Sequence, residues 1–376
     1  MTSPVKFTCS SKDLASAVTA AGKVVNPHTT VPILSNVVLT TDGERVRVRA
    51  TDLELTLEVA LPANVSEGGS VTVPAKLFGG YLGNLPAGSL DFSGSSTRAS
   101  VRASRSNYDF HALPADEYPP LPAAARGTSF TLSSRSLRDA VNAVVFAASN
   151  EEARGTLLMG TLLEVEGSSL TMVATDGYRL AKRRLSLSRG VDEPLKLVVP
   201  SRALGEAARN LGSGDREIEL SLLGSAGNQL SITAGETVVV VRLVDGAYPN
   251  YAQVIPQSFD RSITVETAAL IGSLKRAELV AGDRASMVKL AVADQQLTLT
   301  ATSETTGNAY EELEVEQSGP GLAIAFNARY LLEILNRVDS PQVVMEFLGP
   351  LSPAAIRPIP IEGETSQMYV LMPLRQ

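Results

Sequence analysis

Little in this chain can carry covalent or metal chemistry. Of its 376 residues one is cysteine, Cys9, and two are histidine, His28 and His111. A lone cysteine closes no internal disulfide, which fits a reducing compartment and a cytoplasmic location. Two histidines far apart in sequence starve zinc coordination and histidine acid–base catalysis of material. No cofactor and no metal is expected. No run of about 18 apolar residues occurs, so no segment should span a membrane. The N-terminal MTSPVKFTCSSKDL lacks the apolar stretch of a signal peptide. The patterns GxxxxGK[ST], HExxH and GxSxG are missing as well. Positive charge is in deficit: 33 Lys+Arg against 40 Asp+Glu leave a net charge of −7, unlike the basic footprint usual in nucleic-acid binders.

What the chain does have is a core-forming composition and a repeat. Apolar residues make up 44% and charged residues 19%, ordinary for a folded protein with full cores. Three strand-then-helix segments align: FTCSSKDLASAV from Phe7, FTLSSRSLRDAV from Phe130 and ITVETAALIGSL from Ile263. Leu14, Ala17, Val18 and Ala21 recur at helical spacing, as do Leu137, Val141, Val144, Val145 and Ala148. Hydroxyl residues precede these runs as N-caps, and Ser10 to Asp13 has capping-box spacing. A second set is RATDLEL at Arg49, VATDGYRL at Val173 and TATSETTG at Thr300. A third is VPAKLFGGYLGNLPAG from Val73, VPSRALGEAARNLGSG from Val199 and FNARYLLEILNRVDSP from Phe326. Pro74 and Pro200 are expected in the first turn of their helices, where no amide donor is needed. Alternating runs such as VRVRA, EIELSL and QLTLTA are half-buried strands.

Pro74 to Pro200 is 126 residues and Pro200 to Asn327 is 127. That period exceeds a solenoid unit, so each copy reads as a domain. Two Pro-rich polar joints, Ala115–Gly127 and Asp245–Ser258, divide the chain into domains at 1–123, 124–257 and 258–376. Each domain has two helices and many strands without βαβ alternation, which predicts an α+β class. The six expected helices, Ser11–Val25, Pro74–Leu85, Ser134–Ala148, Pro200–Leu211, Thr267–Val280 and Asn327–Val338, each carry +1. Their sum of +6 leaves −13 on the rest of the chain. Such segregation suits helices sharing one face toward phosphate, a sequence-independent and salt-sensitive contact. No aromatic ladder accompanies the basic residues, which favours duplex over stacked single strands.

The stretch VATDGYRLAKRRL, Val173–Leu185, invites a catalytic reading of Asp176, with Asp52 as its counterpart. A metal-dependent phosphoryl-transfer enzyme would need several convergent carboxylates. The third copy has Ser303 at this place, and Asp-Gly between β-type runs is itself a turn signal. A non-enzymatic role is expected, with a protein-interaction adaptor that does not encircle DNA as the alternative.

The strings TTVPILSNVVL, ATDLELTLE, VPAKLF, FHALPADEYPPL, ATDGYRLA, DGAYPNY and YVLMPLRQ resemble, in order and over essentially the whole chain, the beta subunit of bacterial DNA polymerase III, the sliding clamp family. The resemblance implies a DNA clamp fold of three similar domains, closed as a head-to-tail homodimeric ring with helices lining the channel. It implies a processivity factor in DNA replication that slides on double-stranded DNA regardless of sequence. Its partners would be the replicative DNA polymerase, the clamp loader and other proteins bearing a clamp-binding motif. It further implies a peptide groove between domains two and three. Carried onto this chain, the groove comprises Leu158, Thr175, Gly177, Tyr178, Arg179, Leu180, Pro249, Val254, Leu351, Pro353, Val370, Leu371, Met372, Pro373, Leu374 and Arg375. Family members often have a basic residue in place of Gln253 and a histidine in place of Tyr178. The implied dimer contact pairs Tyr108 and Phe110 with Leu279 and Val280. The DNA-facing set is Lys12, Lys23, His28, Lys76, Arg135, Arg138, Arg202, Arg209, Lys275, Arg276, Arg329 and Arg337.

Overall fold

The computed structural model describes residues 4–26, 28–120, 126–212, 214–224, 227–282, 286–359 and 366–375. The expected boundary at 123/124 and part of the first joint lie outside the described residues. The first repeat runs β1 (Val5–Ser10), α1 (Ser11–Gly22), β2 (Asn36–Asp42), β3 (Arg45–Thr51), β4 (Leu55–Pro62), β5 (Asn64–Glu67), β6 (Ser70–Pro74), α2 (Ala75–Gly83), β7 (Ser89–Gly94), β8 (Arg98–Ala103) and β9 (Ser106–His111). The second runs β10 (Arg126–Ser133), α3 (Ser134–Val144), β11 (Gly160–Glu166), β12 (Ser169–Thr175), β13 (Arg179–Ser186), β14 (Leu195–Pro200), α4 (Ser201–Asn210), β15 (Glu217–Leu223), β16 (Gln229–Ala234) and β17 (Thr237–Arg242). The third runs β18 (Arg261–Glu266), α5 (Thr267–Ala281), β19 (Met287–Ala293), β20 (Gln296–Ser303), β21 (Gly307–Glu314), β22 (Glu316–Ser318), β23 (Leu322–Asn327), α6 (Ala328–Leu335), β24 (Gln342–Phe347), β25 (Ala354–Pro358) and β26 (Ser366–Leu371).

The repeat is legible in strand order. One four-stranded meander recurs as β6-β2-β3-β4, β14-β11-β12-β13 and β23-β19-β20-β21. A second recurs as β1-β7-β8-β9, β10-β15-β16-β17 and β18-β24-β25-β26, with β5 flanking β1 and β22 flanking β18. The alternation that predicts these strands is the observed burial: Val46, Val48 and Ala50 of β3 point into the core between outward Arg45, Arg47 and Arg49.

Backbone contacts divide the chain into two compact units, Met1–Arg138 with Arg202–Leu243, and Asp139–Ser201 with Val244–Gln376. These do not coincide with the repeats, because sheets run through the joints. In the first unit β4 pairs antiparallel with β17, closing an eight-stranded sheet. In the second β13 pairs with β26, closing a nine-stranded one. Each half of the middle repeat is thus tied by ladder hydrogen bonds to a different neighbour.

Helix starts follow the expected hydroxyl caps at Ser10, which accepts from Asp13 N at 3.3 Å, and at Ser133, which accepts from Ser136 N at 3.2 Å, but not at α5, which Glu266 precedes without a side-chain cap. Asn327 caps α6 by accepting from Tyr330 N at 3.2 Å. The prolines depart from expectation. Pro74 ends β6 with ψ 114° and stands before α2, and Pro200 ends β14 before α4. A proline cannot donate to a ladder, so the end of a strand suits it as well as a first helical turn. Three helices also stop three or four residues early. α1 ends at Gly22, α6 ends at Leu335, and α3 yields to a 3-10 turn over Val145–Ala147. Lys23 and Arg337 therefore fall beyond their helices, whose observed residues sum to +4 and leave −11 elsewhere. The segregation keeps its sign and loses a third of its size. Core packing is aromatic in the first repeat: Phe7 stacks on Phe92 at 4.8 Å, and Phe78 meets Phe110 edge-on at 5.2 Å.

Candidate functional site

The second unit holds an apolar pocket at the seam where β13 meets β26. Its floor is a buried cluster of Leu162, Val173, Leu180, Val198 and Val370, which half-buried Leu157, Tyr248, Tyr251 and Ile255 pack against. The opening, about 200 Å³, is lined by Leu158, Thr175, Gly177, Tyr178, Arg179, Leu180, Pro249, Val254, Val370 and Met372, together with Asn250 and Tyr251. Burial raises the Tyr248 phenol to about 12, against a counteracting hydrogen bond with the Thr175 backbone. A second cavity of about 340 Å³ is lined by Leu351, Leu374 and Arg375 with Ala323, Ile324, Ala325 and Pro350. Leu374 N donates to Ala325 O at 2.8 Å, laying the tail against β23.

Three of the carried-over residues are elsewhere. Leu371 is fully buried, because β26 alternates and its side chain points away from Val370. Pro353 and Pro373 are half-buried and line neither cavity.

The Asp-Gly break has a complete local explanation. Asp176 Oδ1 accepts from Tyr178 N at 2.9 Å and Arg179 N at 3.0 Å, while the Thr175 hydroxyl donates to Arg179 O at 2.7 Å and accepts from Gly177 N. Gly177 sits at φ +88°, where a side chain is strained. The other oxygen of Asp176 takes Arg179 Nε at 3.2 Å. The carboxylate that suggests catalysis is engaged by the turn. Asp52 is engaged in the same way, accepting from Glu54 N at 3.1 Å and Leu55 N at 2.8 Å.

Arg179 supports the wall of the pocket with a guanidinium that is 7% exposed. It donates to Glu333 and to Phe146 O, and lies 4.4 Å from the Tyr330 ring and 5.2 Å from the Phe146 ring. Tyr330 stacks on Tyr178 at 6.2 Å, and Arg154 lies over the Tyr178 ring at 4.6 Å. The result is a column of Arg154, Tyr178, Tyr330 and Arg179 that fixes the exposed tyrosine at the rim. Sequence reasoning missed Tyr251, Tyr330, Phe146 and Glu333. The linker string DGAYPNY offered a signal for Tyr251; the others come from distant segments with no local mark.

The dimer residues split. Phe110 is a core residue at 2% exposure, whereas Tyr108 and Leu279 are exposed at 41% and 81%. Val280 is half-buried, and its carbonyl accepts from the Thr306 hydroxyl. In the first unit Tyr108, Tyr81 and Leu77 line a hollow of about 720 Å³, and Lys76 borders it.

Of the basic set, Lys12, Lys23, His28, Lys76, Arg135, Arg202, Arg209, Lys275, Arg276, Arg329 and Arg337 are exposed. Arg209, Arg276 and Arg329 pair with Glu206, Glu311 and Glu278. Arg138 is half-buried and donates to Gly212 O at 2.6 Å and Gly214 O at 3.2 Å, so it braces a loop. No helix among the described residues is long and apolar enough to cross a membrane.

Comparison with known proteins accords with this anatomy. Sequence models of the DNA polymerase III beta subunit match its N-terminal domain at 5–122, its central domain at 131–250 and its C-terminal domain at 252–375. That makes the fold a three-domain DNA clamp. The beta sliding clamp of Caulobacter vibrioides is 30% identical over 99% of this chain and 100% of its own length. A sliding clamp structure from Pseudomonas aeruginosa bound to griselimycin is 29% identical, with TM-score 0.93 over 99% of this chain and 100% of that one. One from Bacillus subtilis is 25% identical, with TM-score 0.92 over 99% of each. The chain belongs to the DNA polymerase III beta subunit family, the beta sliding clamps.

Proposed function

We propose that two copies of this chain close head to tail into a ring on duplex DNA, and that the pocket at β13 and β26 docks short peptides of the polymerase and of other partners. The chain acts by tethering, as a non-catalytic subunit in the cytoplasm. A topologically linked polymerase stays at high effective concentration.

The observation that carries the ring is the rule of the joints. β4 pairs with β17 and β13 pairs with β26, each the last strand of one meander against the last strand of the next repeat's other sheet. By that rule the third repeat offers β21 and the first offers β9, and both end their sheets within the chain. Pairing β21 of one copy with β9 of another satisfies both edges, and closure suits a protein that must not polymerise further. Leu279, on the helix beside β21, would enter the hollow at Leu77, Tyr81 and Tyr108. Light scattering should give twice the chain mass of 39.6 kDa, and Leu279→Glu should give the monomer. A monomeric wild-type chain would favour the adaptor reading.

For DNA, the strongest candidates are the exposed Lys12, Lys23 and Arg202, which make no salt bridge among the described residues, and the exposed Arg135, which lies beside Asp215. Charge reversal of Arg135 and Arg202 together should weaken retention on nicked circular DNA more at low salt than at high salt. Loss independent of salt would count against phosphate contact. For the pocket, removing 372–376 should abolish binding of a peptide with leucine and phenylalanine anchors while the dimer persists; undiminished affinity would refute it.

A further inference from the structure

Along β13 the sheet face that carries the pocket floor stays basic past the pocket. Leu180, Lys182 and Arg184 alternate onto that face. Leu180 belongs to the pocket floor, and successive same-face residues of a strand lie roughly 6.7 Å apart. The ammonium of Lys182 is 5.6 Å from the ring of Tyr251, which lines the pocket. Arg184 is exposed one step further and donates to the Ser169 hydroxyl at 2.6 Å. Neither makes a salt bridge of its own among the described residues, although Lys182 is near enough to Glu164 to help hold that carboxyl ionised. Across the sheet, Lys196 lies on the same row of neighbours, through Glu164 and Thr171. Beside the strip, on β11, two carboxylates share this face, and Glu346 of β24 shares it through Ala355 and Val370, paired with Arg357 at 2.7 Å. Glu164 accepts from Lys196 at 2.8 Å and from the Tyr251 hydroxyl, so both of its oxygens are occupied, and Glu166 stands at the far end.

We infer that Lys182 and Arg184 form a cationic extension of the peptide pocket that selects partners whose anchor motif is flanked by acidic residues. The inference rests on the pocket accepting a peptide. A chain that leaves the apolar floor past Tyr251 meets Lys182 and then Arg184 within two strand steps. The strip is short, begins at the pocket rim and is interrupted by Glu164 and Glu166, which suits a few carboxylates of a peptide better than the continuous phosphates of a nucleic acid. Cations at the edge of an apolar contact add selectivity and association rate more than bulk affinity.

The test uses the full chain and two fluorescent peptides with the same leucine and phenylalanine anchors, one flanked on both sides by three glutamates and one by three serines. The glutamate peptide should bind the wild-type chain roughly fivefold more tightly at low salt, as expected for two partly exposed charge contacts. The advantage should vanish in Lys182→Gln/Arg184→Gln and at high salt, while serine-peptide affinity stays unchanged and certifies the variant as folded. Equal binding of both peptides to the wild type would overturn the strip and leave the pocket standing. If neither peptide binds, the pocket reading fails and the strip with it. If the double substitution instead weakens retention on DNA and leaves both peptides equal, the strip serves nucleic acid and the inference is wrong.

Discussion

Two turns of this molecule are built on one scaffold and do different things. At Thr51–Leu55 and at Thr175–Arg179, threonine caps the turn at both ends, aspartate accepts two successive amides, and a residue of positive φ follows. The first turn places Leu53 at φ +79°, exposed at 60%, where the second has Gly177 at +88°. The first then continues Glu54-Leu55, the second Tyr178-Arg179. Thus the hydrogen bonds explain the aspartate in both copies, and the exposed Tyr178 and the buried Arg179 distinguish the rim of a pocket from a plain turn. A repeated fold can keep its frame and vary one corner.

The largest contrast should come from the aspartates. Asp176→Ala removes a partner from the buried Arg179 guanidinium, and Glu333 compensates only in part. Urea unfolding should register a loss of about 2–4 kcal/mol. Asp52→Ala frees only turn amides, about 1 kcal/mol. Equal losses would mean that Arg179 adds nothing to the second turn.

Next comes Tyr178→Ala, which breaks the aromatic column and should weaken binding of the anchor peptide roughly tenfold. Leu53→Ala should leave that affinity unchanged. A comparable loss at Leu53 would give the first turn a binding role too.

Backbone strain should then separate the turns with opposite signs. Gly177→Ala meets no atom within 4 Å of its new Cβ, so its cost is conformational, about 1 kcal/mol. Leu53→Gly should relieve a similar strain and stabilise by up to about 1 kcal/mol. Loss of stability there would show that the leucine side chain matters more than its φ.

The smallest effect is one of pH. Burial alone would raise Glu164, but hydrogen bonds from Lys196 and Tyr251 outweigh it and hold the carboxyl below its usual value. A depressed carboxylate stabilises the fold above its unfolded pKa, and that contribution is lost as pH falls through the folded value. The same bond raises Lys196, whose contribution is present at neutral pH and lost only at strongly alkaline pH. Peptide affinity at the second turn should therefore hold through mild acid and decline only once the pH falls below the ordinary carboxylate range, and Glu164→Gln should flatten that decline. A profile unaffected by that substitution would remove the link to Tyr251.

Much of this is legible in the sequence. Hydrophobic alternation and the Ser10 and Ser133 caps located strands and helices, and the period near 126 residues foretold the recurring sheets. Ten pocket residues came from the resemblance and do line one cavity. The misreadings share a cause: local pattern does not say what a neighbouring strand supplies. Pro74 looks like a helix start until β6 claims it. Leu371 lies inside a run of pocket residues, yet strand alternation turns it inward. Phe110 sits beside Tyr108 in the strand, yet Phe78 covers it and leaves only Tyr108 exposed within the chain. Arg138 reads as a free cation until the Gly212 and Gly214 carbonyls bind it, and Glu333 and Phe146 reach Arg179 from helix and loop segments that carry no motif.

Hydrogen–deuterium exchange on the full chain, with and without the serine-flanked anchor peptide, tests the difference between the two turns most directly. Amides at 175–180 and along 368–374 should slow on binding, while those at 51–55 keep their rates. Protection at both turns, or at neither while the peptide is demonstrably bound, would contradict a pocket confined to the second copy.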